Sequence, residues 1–281
     1  MSTNTPSELT IQLNLIEHAI KHHQYISIYT FLQQNSHWQD KNTLDLVGLA
    51  HAIVKGNLSA IEKLAPLTGY QFLTQPSYIE QRSYNFWHYL TIQLSRQEYA
   101  DYLRALTPLL VDIYRIIIQR HLLPNLNHYI EPTTKVKEDG EALYRGLQWS
   151  QTAIEAKQNM VHRTFQHYYG DRFNYSHYIS SSHLLKIIEF NSKDDLLIEK
   201  AHDMRNIEKY LRNIVAHEII YVDDDWIQAR VGRSPASIHQ LLKDLYHMAG
   251  LNDENQWQSL ATLDDLLTQR FNERYIELTK D

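Results

Sequence analysis

The sequence predicts an all-α fold: an N-terminal helical bundle followed by a second helical domain. Two observations carry that reading. Only 8 Gly and 7 Pro fall in 281 residues, fewer than average usage would give, so the chain has few breakers. Apolar residues recur at helical spacing through most of its length. An apolar content of 43% supplies a sizeable core, and the length fits one large or two modest domains.

In the first half, Leu13, Ile16, Ala19 and Ile20, then Ile28, Tyr29 and Leu32, mark two helices over 8–34. A further helix pair over 42–64 breaks near Lys55-Gly56-Asn57, and 77–94 is helical and rich in aromatics. Residues 97–122 form an amphipathic run through Leu103, Leu106, Leu110, Ile113 and Ile117, with Pro108 marking a start or a kink. No catalytic constellation lies in this half, so 1–124 is assigned as a scaffold or dimerisation bundle. The polar tract from Pro124 to Gly140, with a second proline at Pro132, is the linker, set at 125–140.

Residues 141–281 form the second domain. Helix resumes over 141–168, and Gly170 to Tyr178 is a loop. Another helix follows through Leu184, Leu185, Ile187 and Ile188, and a turn occupies Asn191 to Asp195. A long helix from about Leu196 to Tyr221 comes next. Asp223-Asp224-Asp225 ends it and caps its successor. Ser234 and Pro235 are the N-cap and first residue of a helix over 236–249, and a last helix spans about 258–276. No internal repeat or low-complexity segment is present.

Several function classes drop out. There is no cysteine, which excludes disulfides and thiolate metal sites and fits a cytoplasmic setting. No apolar run approaches the ~18 residues of a membrane span, and Met1 to Pro6 lacks the pattern of a signal peptide. Net charge is −6. Residues 1–124 carry nine Lys/Arg and nine Asp/Glu, so the deficit lies wholly in the remainder. That argues against a broad nucleic-acid-binding face but permits a small pocket engaging RNA through a few residues. The 19 tyrosines are assigned mainly to cores and interfaces. Neither a phosphate-binding glycine loop nor a nucleophile elbow appears.

The chemistry concentrates in Leu211-Arg212-Asn213-Ile214-Val215-Ala216-His217-Glu218. Arginine can neutralise a phosphate and histidine can move a proton near neutral pH. On a helical wheel Met204, Ile207, Leu211, Ile214 and Val215 form one stripe. Asn213 and His217 share the opposite face, with Arg212 at its flank. Glu208, four residues before Arg212, is placed to pair with it. Composition alone yields about one Arg-x4-His pair; two occur, the other being Arg172 and His177. Spacing does not choose between them. His18 and His22, four apart, could face one metal, but no carboxylate completes a site and a solvated face is favoured. Asp223 to Asp225 and the Asp264-Asp265 pair are assigned to capping and solvation, since consecutive helical residues diverge by about 100°.

Arg212-Asn213-Ile214-Val215-Ala216-His217 resembles the signature of HEPN ribonucleases. The tract Ala156-Lys157-Gln158-Asn159 to Arg163, Phe173-Asn174-Tyr175, Tyr178 to Ser182, Gly232-Arg233-Ser234 and Trp257 resemble the HEPN domain of the CRISPR-associated ribonucleases of type III-A systems. Ile53 to Asn57 and Tyr99 to Leu103 are similar to the helical domain that precedes it. The resemblance spans most of the chain and demotes Arg172 and His177 to a structural segment. It implies a homodimer with a composite site that cleaves single-stranded RNA without a metal or other cofactor. Arg212 would hold the phosphate, Asn213 would position it, and His217 would handle the proton of the 2′-hydroxyl. Relatives begin with a Rossmann-like sensor domain for cyclic oligoadenylate. The residues here open directly into helices, which puts such activation in doubt. Two alternatives remain at this stage. One is a HEPN toxin restrained by an antitoxin, although its modifiable tyrosine would stand where Ile219 is. The other is an inactive helical interaction module.

Overall fold

The computed structural model describes residues 5–75, 77–156 and 159–280. Lys157 and Gln158, within one of the resemblance tracts, lie outside them. The helices in chain order are α1 (Pro6–Lys21), α2 (Tyr25–Gln34), α3 (Lys41–Lys55), α4 (Leu58–Thr68), α5 (Tyr78–Ser95) and α6 (Tyr99–Ile117). A hairpin of β1 (Ile130–Val136) and β2 (Ala142–Trp149) follows. After it come α7 (Gln151–Glu155), α8 (Met160–Tyr169), α9 (Ser181–Asn191), α10 (Asp195–Ile207) and α11 (Asn213–His217). The series ends with α12 (Asp224–Val231), α13 (Pro235–Met248) and α14 (Glu254–Leu278). The expected helical fold is thus present, and α6 runs on through Pro108.

Two compact units form, one from the described residues of 1–95 and 253–281, the other from 96–252. These boundaries differ from the partition at 124 and 140. In the first unit, Leu13, Ile16 and Ile20 of α1 and Leu46, Leu49 and Ile53 of α3 share one buried cluster with Leu260, Leu263, Leu267 and Phe271 of α14. Thr10 Oγ1 lies 2.8 Å from Tyr275 Oη, tying the outer turns of α1 and α14. Each fully buried Leu or Ile contributes about 1.5–3 kcal/mol, so α14 is a main part of this core.

In the second unit α6 is the central strut. Leu103, Leu106, Leu110 and Ile113 are fully buried, and α6 packs against α9, α13 and the segment after α10. Tyr114 donates a 2.7 Å hydrogen bond to the Ala201 carbonyl. Burial, with the Glu208 carboxylate nearby, raises its phenol above the usual range.

The hairpin replaces the expected linker and the start of the expected 141–168 helix. Thr133, Thr134 and Val136 pair antiparallel with Gly146, Tyr144 and Ala142, and the Thr, Val and Tyr residues are types that suit strands. Asp139-Gly140 turns the chain, Gly140 taking φ 86°. Tyr178 bridges to Gln148, and the Ile179 amide donates to the Leu147 carbonyl, so the loop after α8 extends the hairpin edge.

Candidate active site

The segment holding the Arg-to-His motif is built in three pieces. Asp194 caps α10 by accepting from the Leu197 amide at 3.0 Å. Leu197, Ala201, Met204, Ile207, Leu211 and Val215 then form one buried stripe, which seats the helix on the core. Between α10 and α11 a wider π-helical turn spans Glu208–Arg212; such turns mark local departures from the α-helical ladder. The helix ends at His217, and Glu218 is extended at φ −125°, ψ 147°. The expected continuation to Tyr221 is therefore corrected. Asp223 next caps α12, accepting from the Trp226 amide at 2.8 Å, as expected of that acidic run.

Arg212 is half-buried, and Asn213 and His217 are exposed. Arg212 Nε is shielded from solvent and has no hydrogen-bond partner among the described residues. In the same stretch of chain Ile219 is fully exposed, Tyr221 is 83% exposed and Tyr210 is 51% exposed.

Glu208 does not pair with Arg212, contrary to the reading from their spacing. It lies in the buried stripe at 4% exposure. One carboxylate oxygen accepts from Thr107 Oγ1 at 2.6 Å and the other from Ser181 Oγ at 2.6 Å. Arg205 Nη1 stands 3.3 Å away. A carboxylate facing the core must find such donors. Thr107 and Ser181 lie 101 and 27 residues away in sequence, so no local pattern announces them.

The second pair, Arg172 and His177, lies on the loop between α8 and α9. His177 Nε2 is 3.3 Å from Asn174 Nδ2, within the loop itself. The loop packs through Phe173, stacked on Phe165 at 4.0 Å between ring centres. His183 borders this cluster, and burial, with a smaller contribution from His177, pushes its imidazole down to about 4. His18 and His22 have ring centres 4.3 Å apart. Among the described residues no three His, Asp or Glu gather as a metal-holding group. Asp264 is not merely solvated: it accepts a hydrogen bond from Tyr25 and lies 3.3 Å from His23 Nδ1. No described helix is long and apolar enough to cross a membrane.

A family model described as the Csm6 HEPN domain matches residues 72–268. Among solved structures, Csm6 of Enterococcus italicus, bound to cyclic hexa-2′-fluoro-hexa-dAMP, is similar with a TM-score of 0.62 and 13% identity. The alignment covers 93% of this chain and 57% of that one. At that identity the likeness shows the fold. No curated protein matches the chain. With the family model matching well over half its residues, the motif segment among them, the chain belongs to the Csm6 HEPN family of CRISPR-associated proteins.

Proposed function

We propose that the chain is an endoribonuclease that cleaves single-stranded RNA without a metal, through Arg212, Asn213 and His217 of two protomers. The observation that carries this reading is the unspent polarity of the motif. Arg212 Nε is sheltered and unpartnered, and His217 stands exposed at the helix end. His177, by contrast, has its ring nitrogen beside Asn174. A half-exposed guanidinium with no acceptor among the described residues suits a phosphate oxygen.

The exposure of Ile219, Tyr221 and Tyr210 supports a two-fold contact that would set each motif against its copy. In that arrangement the arginines bind the scissile phosphate and stabilise the charge developing in the transition state. One His217 takes the proton of the 2′-hydroxyl, and Asn213 orients the sugar or phosphate. The 2′-oxygen bonds to phosphorus, the bond from phosphorus to the 5′-oxygen breaks, and the leaving oxygen takes a proton. The products are a 2′,3′-cyclic phosphate and a 5′-hydroxyl. DNA, lacking the attacking group, is not a substrate. The setting is cytoplasmic CRISPR type III defence.

The chain spans just over half of the Enterococcus italicus protein, so that protein's ligand is not carried over. The test is cleavage of single-stranded RNA in EDTA, with and without cyclic oligoadenylates, by the parent and by Arg212→Ala, His217→Ala and Arg172→Ala. Loss in the first two alone supports the assignment; loss only in Arg172→Ala overturns it.

A further inference from the structure

The motif segment is held on both sides of Arg212 by one face of α6. Thr107, bonded to Glu208, grips the start of the π-helical turn. Arg104, three residues earlier and so on the same face, grips the end: its Nε donates to the Val215 carbonyl at 3.1 Å. That carbonyl is one of the last four of α11, and its helical donor would be the Ile219 amide, which lies beyond the helix. Arg104 Nη1 is itself held by Asp101 at 2.9 Å.

The Arg104 and Asp101 side chains are 49% and 55% exposed, and exposed pairs of this kind stabilise weakly. Glu208 stands in a stripe otherwise filled by Met204, Ile207, Leu211 and Val215. A buried carboxylate there costs desolvation that an apolar residue would avoid. What both contacts do is define geometry. The Glu208 carboxylate is held from α6, α9 and α10 at the point where the helix widens. Arg104 holds the backbone two residues before His217, where the helix stops. An irregular turn and an abrupt end would otherwise leave the Arg212-to-His217 separation loose.

We propose that Arg104 and Glu208 are positioning residues for the Arg212–His217 site, setting the register of the motif from α6 without touching RNA. The proposal rests on the reading of Arg212 and His217 as catalytic. Arg104→Met removes the donors and keeps an unbranched apolar stem; Glu208→Gln keeps the shape and removes the charge. In each, kcat on single-stranded RNA is expected to fall about tenfold to hundredfold, with KM within about twofold. Backbone amides of 213–219 should exchange faster, with the rest of the unit unchanged. Arg104→Lys, which restores a donor, should recover part of both.

Parental kcat in Arg104→Met overturns the proposal. So does a rise in KM alone, which would make Arg104 an RNA contact. Lost activity with parental exchange at 213–219 overturns it equally. If Glu208→Gln lowers the thermal midpoint of the whole unit, the decision rests on Arg104→Met. Cleavage that survives in Arg212→Ala and His217→Ala refutes the catalytic reading instead, and amide exchange then decides the clamp by itself.

Discussion

His88 of α5 lies with its Nε2 3.0 Å from the carbonyl oxygen of Gln256 and 2.9 Å from Ser259 Oγ, both on α14. The imidazole is buried, and desolvation pushes it down to about 4. The folded form therefore holds the ring neutral while the unfolded chain protonates near 6.5. Stability from this group is complete above pH 6.5 and is lost as pH falls toward 4. The loss amounts to on the order of 3 kcal/mol at full extent. Denaturant unfolding from pH 7 to pH 4 should show that decline, and His88→Gln should reduce its slope, with the remainder coming from His183 and His239, which burial also holds down to about 4. An unchanged slope in the variant would show that His88 is not among its sources.

Removing the motif side chains should cost chemistry and not folding. Arg212→Ala and His217→Ala are each expected to lower kcat by about a hundredfold or more. Asn213 and His217 are exposed and Arg212 half-buried, so the thermal midpoint should stay within about 2 °C of the parent. Single-turnover cleavage alongside calorimetry checks both. A collapse of the midpoint would make the loss of activity uninformative about roles.

The exposed apolar residues of the motif stretch predict self-association. Ile219 is bare in the single chain, and Ile219→Asp would place a charge in any contact it makes. Sedimentation should show the parent as a dimer, the variant shifted toward monomer, and RNA cleavage falling in proportion. A monomeric parent with full activity would rule out the composite site.

The hairpin makes a prediction about stability. Gly146 has φ 144°, and a Cβ there would stand 3.2 Å from Tyr178 Cδ1. Gly146→Ala should cost about 1–3 kcal/mol through backbone strain and displacement of that ring. Chemical denaturation checks the size. A change below about 0.5 kcal/mol would mean the hairpin relaxes freely.

Local chemistry made much of this fold readable. Asp223, Ser234 and Pro235 stand where capping logic puts them, with the Ser237 amide donating to Ser234 Oγ at 3.2 Å. The hairpin was also readable, through Asp139-Gly140 between Thr133, Thr134, Val136 and Leu143, Tyr144, but the prolines and charges around it favoured a linker. The motif's buried stripe was legible, whereas the π-helical turn was not, because Met204, Ile207, Leu211 and Val215 satisfy an ordinary helix equally well. Glu208 was misassigned for a physical reason: a carboxylate on the core side answers to Thr107 and Ser181, not to its helical neighbour. Arg104 meets Val215 across 111 residues, and the amphipathic stripe of α14 says that it packs without saying on what.

Residues 96–252 interrupt the other unit in sequence, since α14 shares its core with α1 and α3. During synthesis the unit bearing Arg212 and His217 is therefore fully extruded before the first unit can close. Until α14 emerges, Leu13, Ile16, Leu46 and Ile53 lack the neighbours Leu260, Leu263 and Phe271 that shield them. A chain released after residue 252 and before residue 271 would thus carry the motif-bearing unit complete beside an open apolar core, the kind of surface that invites aggregation or proteolysis.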